Sequence, residues 1–95
     1  MSDSIIPKKC TLLRTDGTHY EVSCSKGLKD FQHHVDGPIE PVTLLDDAGN
    51  PYKNIIMLVN EEGFLRNLSW NPIASRLSNK VIVGDVLIIP KEYLN

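Results

Sequence analysis

The sequence contains little of what marks a secreted, membrane-spanning or nucleic-acid-binding protein. Its 95 residues include two cysteines, Cys10 and Cys24, which are too few for a scaffold held together by disulfide bonds. No apolar run approaches the roughly 18 residues of a membrane helix, and Met1 to Lys9 contains no signal-peptide core. The net charge of −2 disfavours a broad nucleic-acid-binding surface. We therefore expect a soluble, cytoplasmic protein.

The composition is that of one small globular domain. Hydrophobic residues make up 41% of the chain and charged residues 23%, both ordinary values. We predict a single domain over residues 1–95 with a loose N-terminus over residues 1–7. The charge is uneven, because residues 36–62 carry six carboxylates against Lys53 alone. Two solvated acidic loops explain this distribution, and an acidic face for a basic partner is the alternative.

A β-hairpin is predicted near the start of the chain. Thr15-Asp16-Gly17-Thr18 separates two strand-like runs, Lys8 to Arg14 and His19 to Cys24. Asp-Gly in this position favours a two-residue type I′ turn, in which both central residues have positive φ.

That turn predicts a register. Leu13 should face Tyr20, and Cys10 should face Ser23. Because side chains alternate between the faces of a strand, Cys10 and Cys24 should then lie on opposite faces. This arrangement does not allow a disulfide bond between them.

The remaining elements give an α+β fold. The continuous apolar run from Ile55 to Val59 indicates a central strand covered on both faces. Short turns between strands favour a small antiparallel or mixed sheet with two short helices, and a small, partly open β-barrel is the alternative. The predicted elements after the hairpin are a helix at Ser25–Asp36, strands at Ile39–Leu45 and Tyr52–Asn60, a short strand or irregular segment at Phe64–Leu68, a helix from Asn71 to about Ser78, and a strand at Val86–Ile89.

Three motifs in the second half of the chain are typical of turns and helix starts. They are Val59-Asn60-Glu61-Glu62-Gly63, Asn71-Pro72-Ile73-Ala74 and Val83-Gly84-Asp85-Val86. Asparagine caps helices, proline suits the first helical position and glycine takes backbone angles that other residues resist. We therefore expect these positions to be structural.

The order and spacing of the three motifs resemble the uncharacterised domain-of-unknown-function family numbered 3846. Its members are short proteins of phages, plasmids, bacteria and large DNA viruses. This chain departs from the family at Ser69-Trp70, where a proline-containing tripeptide is common. The resemblance implies a fold and an origin in a virus or mobile element, and it implies no mechanism.

The sequence shows no reaction signature. The spacings of its cysteines and histidines match no standard zinc site. No serine or cysteine lies in a nucleophile turn, and no glycine-rich phosphate loop precedes a helix. The carboxylate pairs Asp46-Asp47 and Glu61-Glu62 lie in turns that should be solvated. We predict a protein that is not an enzyme and that has no metal and no cofactor.

Two groups of residues are candidates for binding. An exposed Trp70 would suit a protein partner, since tryptophan and arginine are enriched at interface hot spots; the alternative is that Trp70 packs back on the fold. A helix start can also hold an anion through free N–H groups. The partner-binding candidates are Trp70, Arg66, Arg76, Glu61 and Glu62, and the ligand-binding candidates are Ser25, Lys26 and Gly27.

These observations favour a small non-enzymatic binding or accessory protein of a virus or mobile element. It would act in the host-cell interior through a contact with a protein partner. The alternative is a protein that sequesters a small anionic ligand or nucleotide. Exposed strand edges can pair with another copy of the chain, so a homo-oligomer is a further alternative.

Overall fold

The computed structural model describes residues 8–94. The loose N-terminus predicted over residues 1–7 lies outside the described residues, as does residue 95. The elements are β1 (Lys9–Leu13), β2 (His19–Ser23), α1 (Leu28–Val35), β3 (Ile39–Val42), β4 (Ile55–Asn60), α2 (Pro72–Ser78), β5 (Val86–Pro90) and a final 3-10 turn (Lys91–Leu94).

The strands form one antiparallel sheet in the order β2-β1-β5-β4-β3. Within residues 8–94 the edge strands β2 and β3 do not pair with each other, so the sheet is open. The α+β prediction is confirmed in its antiparallel form, and the barrel alternative is not adopted. No helix in this part of the chain is long and apolar enough to cross a bilayer.

The apolar run of β4 is covered on both faces, as its sequence predicts. Ile56 and Leu58 belong to the core cluster under α1. Met57 and Val59 belong to a second cluster, on the other face, that includes Ala74 of α2. Burying a side chain of this size contributes about 1.5–3 kcal/mol. The sheet is therefore the middle layer of the fold, with α1 and α2 on opposite sides.

The strands on either side of the Asp46-Asp47 turn are shorter than predicted. β3 ends at Val42 rather than Leu45, and β4 begins at Ile55 rather than Tyr52. Between them the chain leaves the sheet and closes on itself through an isolated bridge between Leu45 and Pro51.

The hairpin register predicted from Asp-Gly is wrong by one residue. Leu13 pairs with His19, and Cys10 pairs with Val22. A three-residue loop replaces the two-residue turn, because the N–H of Arg14 donates to the carbonyl of Thr18. Asp16 in this loop accepts hydrogen bonds from the backbone N–H and hydroxyl of Thr18. Because side chains alternate between the two faces of a strand, a register shift of one residue changes which side chains of the two strands lie on the same face.

The corrected register explains a disulfide bond between Cys10 and Cys24, which the predicted register does not allow. Cys24 follows β2, and its N–H donates to the carbonyl of Lys8 at 3.0 Å. It is thus a diagonal neighbour of Cys10 on the same face, with a Cα–Cα distance of 6.3 Å. Both side chains are buried in the cluster under α1.

The predicted start of α1 at Ser25 is also wrong. The helix begins at Leu28, and the N-cap is Gly27, with φ of 63° and no side chain to accept a hydrogen bond. Ser25 Oγ accepts instead from the N–H of Lys8, beside the start of β1. The helix ends as predicted before Gly37, with Asp36 in the left-handed conformation.

Candidate partner-binding surface

Asn71 holds together three parts of the fold. Its side-chain oxygen accepts from the N–H of Ala74 and caps α2, with Pro72 in the first turn, as the sequence predicts. Its amide nitrogen donates to the carbonyls of Leu13 and Gly84, at 3.2 and 3.0 Å. Asn71 is fully buried, so these bonds cannot be replaced by water without opening the core. Asn71 therefore has a structural role, because it connects the start of α2 to the chain at Leu13 and at Gly84.

Asn60 plays the same role at the end of β4. Its buried amide nitrogen donates to the carbonyls of Val35 and Asp36, and its oxygen accepts from the N–H of Glu62. The asparagine therefore satisfies the last turn of α1 and shapes the turn that follows β4.

Two glycines of the motifs allow close packing. A Cβ at Gly63 would lie 2.7 Å from a methyl carbon of Val83, and one at Gly84 would lie 2.8 Å from Leu68. Gly84 also has φ of 82°. The next residue, Asp85, accepts from the N–H of Thr15 at 3.1 Å and joins this corner to the first hairpin. The prediction that the motifs shape the backbone is confirmed.

Trp70 is held in place yet exposed. Its backbone forms an isolated antiparallel bridge with Val83. Its indole Nε1 donates to Ser75 Oγ at 3.0 Å. Ser75 Oγ also accepts from the N–H of Ile82 and donates to the carbonyl of the same residue. The residue is nonetheless 60% exposed. Trp70 thus contacts α2 through its polar edge, while most of the ring faces solvent.

The exposed ring borders a groove of about 600 Å³, which we call the Trp70 groove. The groove is lined by Trp70, by Pro72, Ile73, Ser75 and Arg76 of α2, and by residues 79–81. Its lining is mainly apolar, with two cations and no carboxylate. Such a volume accommodates a few side chains of a partner or a small molecule.

A second, smaller hollow adjoins the groove. Lys80 and Val81 line both, and the smaller hollow also includes Phe64, Glu40 and Glu61. Phe64 is 67% exposed and Val81 65% exposed. We call the Trp70 groove, this hollow and the three exposed apolar side chains (Phe64, Trp70 and Val81) the Trp70 surface. Exposed apolar groups gathered in this way are typical of binding sites.

The structure brings together only some of the predicted partner-binding residues. Trp70 and Arg76 line the groove, and Glu61 lines the adjoining hollow. Arg66 instead donates to the backbone carbonyl and the carboxylate of Asp36, at the end of α1, and lines neither cavity. Glu62 is exposed but also lines neither. Arg66 has a local structural partner rather than a place in the groove.

The amides predicted to hold an anion already have partners. The N–H of Lys26 donates to the carboxylate of Asp30 at 2.8 Å. The N–H of Gly27 donates to the carbonyl of Cys24, and that of Ser25 to the hydroxyl of Ser23. An anion at this position would have to displace Asp30. Elsewhere in residues 8–94, no three His, Cys, Asp or Glu side chains are grouped to hold a metal ion.

Sequence reasoning missed Phe64, Lys80 and Val81 as members of the surface. The sequence predicts a short strand or irregular segment at Phe64, and the structure places this residue in a run of turns. Val81 precedes the buried Ile82, and a single apolar residue next to another gives no sign of which one faces solvent.

The comparison with known proteins gives a family without a function. Residues 8–93 match the family described as a domain of unknown function, DUF3846. The chain belongs to this family. No curated protein and no solved structure matches it significantly. The match includes all three motifs, which the structure shows to be joints and corners of the fold.

Proposed function

We propose that this DUF3846 protein is a small non-enzymatic binding protein that contacts a protein partner through the Trp70 surface. The single observation that carries the proposal is that Trp70 is 60% exposed although its backbone and its indole N–H are both held. Tryptophan is the residue type that contributes most often to interface hot spots.

The fixed position of Trp70 supports a binding role on energetic grounds. Immobilising a flexible side chain on association costs about 0.5–1.5 kcal/mol. Ser75 already restricts the indole in the free protein, so much of this cost is met before the partner arrives. Burying the exposed rings of Trp70 and Phe64 against a partner would add apolar contact at about 25 cal/mol per Å².

Capture from a host lysate tests the proposal. The wild type and Trp70→Ala are immobilised at equal density, and bound proteins are quantified by mass spectrometry. Tyr52→Ala is the matched control, because Tyr52 is also an exposed aromatic residue and lines neither cavity of the Trp70 surface. We expect a protein that the wild type and Tyr52→Ala retain and that Trp70→Ala loses. If all three proteins retain the same partners equally, the proposed role of the Trp70 surface in binding is contradicted.

Arg66→Ala serves as a second comparison. Because Arg66 is bound to Asp36, we expect this change to lower stability slightly and to leave capture intact at a temperature where the variant is folded. Loss of the partner in the folded variant would place the contact at α1 rather than at the Trp70 groove.

An accessory role for a virus or mobile element, inside the host cell, is part of the same proposal. Its support is the size of the chain and its family membership. Disulfide bonds are rare in the cytosol, so the state of Cys10 and Cys24 in cells is informative. Cells are quenched with an alkylating reagent and the protein is analysed by mass spectrometry. An alkylated pair supports a cytosolic location, and an intact bond points to an oxidising compartment.

A further inference from the structure

The charged side chains that line the Trp70 groove are all cationic. Arg76 and Lys80 are the ionisable residues of its lining, and both are exposed. Among residues 8–94, neither forms an ion pair within 4 Å. Two cations therefore flank an exposed indole without a carboxylate of the described chain bound to them.

We infer that the Trp70 groove binds an acidic segment of a partner protein, with an apolar side chain against the indole and carboxylates on Arg76 and Lys80. This inference rests on the proposed function and specifies its partner. Arginine binds a carboxylate through two parallel N–H donors. Charge complementarity of this kind favours the right partner and speeds association.

The inferred partner is opposite in charge to the one that the alternative interpretation of the acidic segment implies. The uneven charge of residues 36–62 is explained by two solvated acidic loops, with an acidic face for a basic partner as the alternative. The acidic groups instead border the groove: Asp46 and Asp47 line a separate hollow next to Arg76, and Glu40 and Glu61 lie with Lys80 in the smaller one. The cationic centre is thus narrow, with carboxylates on two sides.

This pattern fits a short acidic segment better than a nucleic acid. A nucleic acid carries a charge at every phosphate and needs a continuous cationic track. Here a strand longer than the groove would meet the carboxylates of the neighbouring hollows. A peptide with two or three carboxylates around an apolar residue would place its charges on Arg76 and Lys80 alone.

Selection from a library of short random peptides tests the inference. The wild type, Trp70→Ala and the double variant Arg76→Glu/Lys80→Glu are used as targets. The control is Lys29→Glu/Lys53→Glu, which makes the same charge change at two exposed lysines that line no part of the groove. Folding of each variant is checked by circular dichroism. We expect acidic peptides with an apolar residue to be enriched on the wild type and on the control only.

Affinities of the selected peptides follow from fluorescence, because Trp70 is the only tryptophan in the chain. We expect the groove double variant to bind an acidic peptide at least about tenfold more weakly than the control double variant at physiological ionic strength, since two attractive contacts become repulsive. Replacing the peptide's aspartates by asparagines should cause a similar loss on the wild type.

The outcomes separate the inference from the proposed function. Peptides without acidic residues that bind the wild type but not Trp70→Ala would overturn the inference and leave the proposed function standing. Tighter binding of a single-stranded oligonucleotide than of any peptide, lost in the groove double variant, would overturn the inference in favour of nucleic acid. No enrichment of any peptide over Trp70→Ala would count against both.

Discussion

The indole nitrogen of Trp70 donates to the hydroxyl oxygen of Ser75 at 3.0 Å, across the first turns of α2. This bond joins the exposed tryptophan of the candidate surface to a helix that packs on the core. It is the contact that separates a fixed aromatic side chain from a mobile one.

Replacing Ser75 by alanine should therefore loosen the tryptophan. Time-resolved anisotropy of the single tryptophan should show a larger fast component in Ser75→Ala than in the wild type. Partner binding should weaken because the ring must be ordered on association. Ser69→Ala is the control, since Ser69 is exposed and its side chain forms no hydrogen bond within residues 8–94. Identical anisotropy decays in the two variants would contradict the restraint.

Asn71 offers a way to separate helix capping from the bonds between segments. Asn71→Ser keeps an oxygen for the N–H of Ala74 but loses both donors to Leu13 and Gly84. We expect it to lower the free energy of unfolding by about 2 kcal/mol. Asn71→Ala removes the cap as well and should cost about 1 kcal/mol more. Urea denaturation measures both, and equal losses in the two variants would show that the cap contributes nothing.

Two glycines with similar backbone angles should respond differently to alanine. Gly49 has φ of 85° and open space where a Cβ would lie, whereas a Cβ at Gly84 would lie 2.8 Å from Leu68. Gly49→Ala should therefore cost about 1 kcal/mol of stability from the backbone alone. Gly84→Ala should cost about 2–4 kcal/mol, because crowding adds to it. Adding Leu68→Ala should recover part of the loss only if the contact is the cause.

Reduction of the disulfide bond should destabilise the fold without changing its topology. Cys10 and Cys24 are 14 residues apart, and closing a loop of this length contributes about 3 kcal/mol, chiefly through the unfolded chain. Urea denaturation with and without a reductant measures the difference. The Cys10→Ala/Cys24→Ala variant is the control and should be insensitive to the reductant. A wild type that is equally insensitive would show that the thiols are unpaired in the sample.

The turn at Asp16 should give a small dependence of stability on pH. Hydrogen bonds from the hydroxyl and the N–H of Thr18 hold the pKa of Asp16 below its ordinary value. Because the folded pKa is the lower one, the contribution is present at neutral pH and is lost as the pH falls below about 4. An NMR titration of the carboxyl carbon measures the shift. Thr18→Val should raise the pKa, and an unchanged midpoint would refute the assignment.

Features that depend on neighbouring residues, such as helix starts and buried strands, are predicted well from the sequence. The start of α2 follows from Asn71 and Pro72 because capping depends on residues within one turn. The burial of β4 follows from its continuous apolar run. The hairpin register does not follow in the same way, since the turn is held by Thr18 on Asp16 and also by the N–H of Thr15, which donates to Asp85, 70 residues along the chain. The preference of Asp-Gly for a two-residue turn takes no account of such a distant partner. The register that it predicts places Cys10 and Cys24 on opposite faces and therefore excludes their disulfide bond.

The Trp70 surface was predicted only in part for a similar reason. Sequence identifies Trp70 and Arg76 by residue type, as amino acids that bind partners often. It could not identify Lys80 and Val81, because their place beside the indole depends on the bridge between Trp70 and Val83. The sequence also gives no sign that Arg66 lies apart from the groove, because the left-handed Asp36, which it binds, lies 30 residues away in sequence.

The position of β5 has a consequence for how the protein is made. This strand comes after all the others in the sequence and yet pairs with both β1 and β4. A nascent chain on the ribosome can form the first hairpin, and separately the β3–β4 pair, but no strand connects these two pairs into one sheet until residues 86–90 have left the exit tunnel. The edges of β1 and β4 that face β5 stay unpaired until then, which makes the interval before β5 emerges the one most exposed to chaperones and proteases.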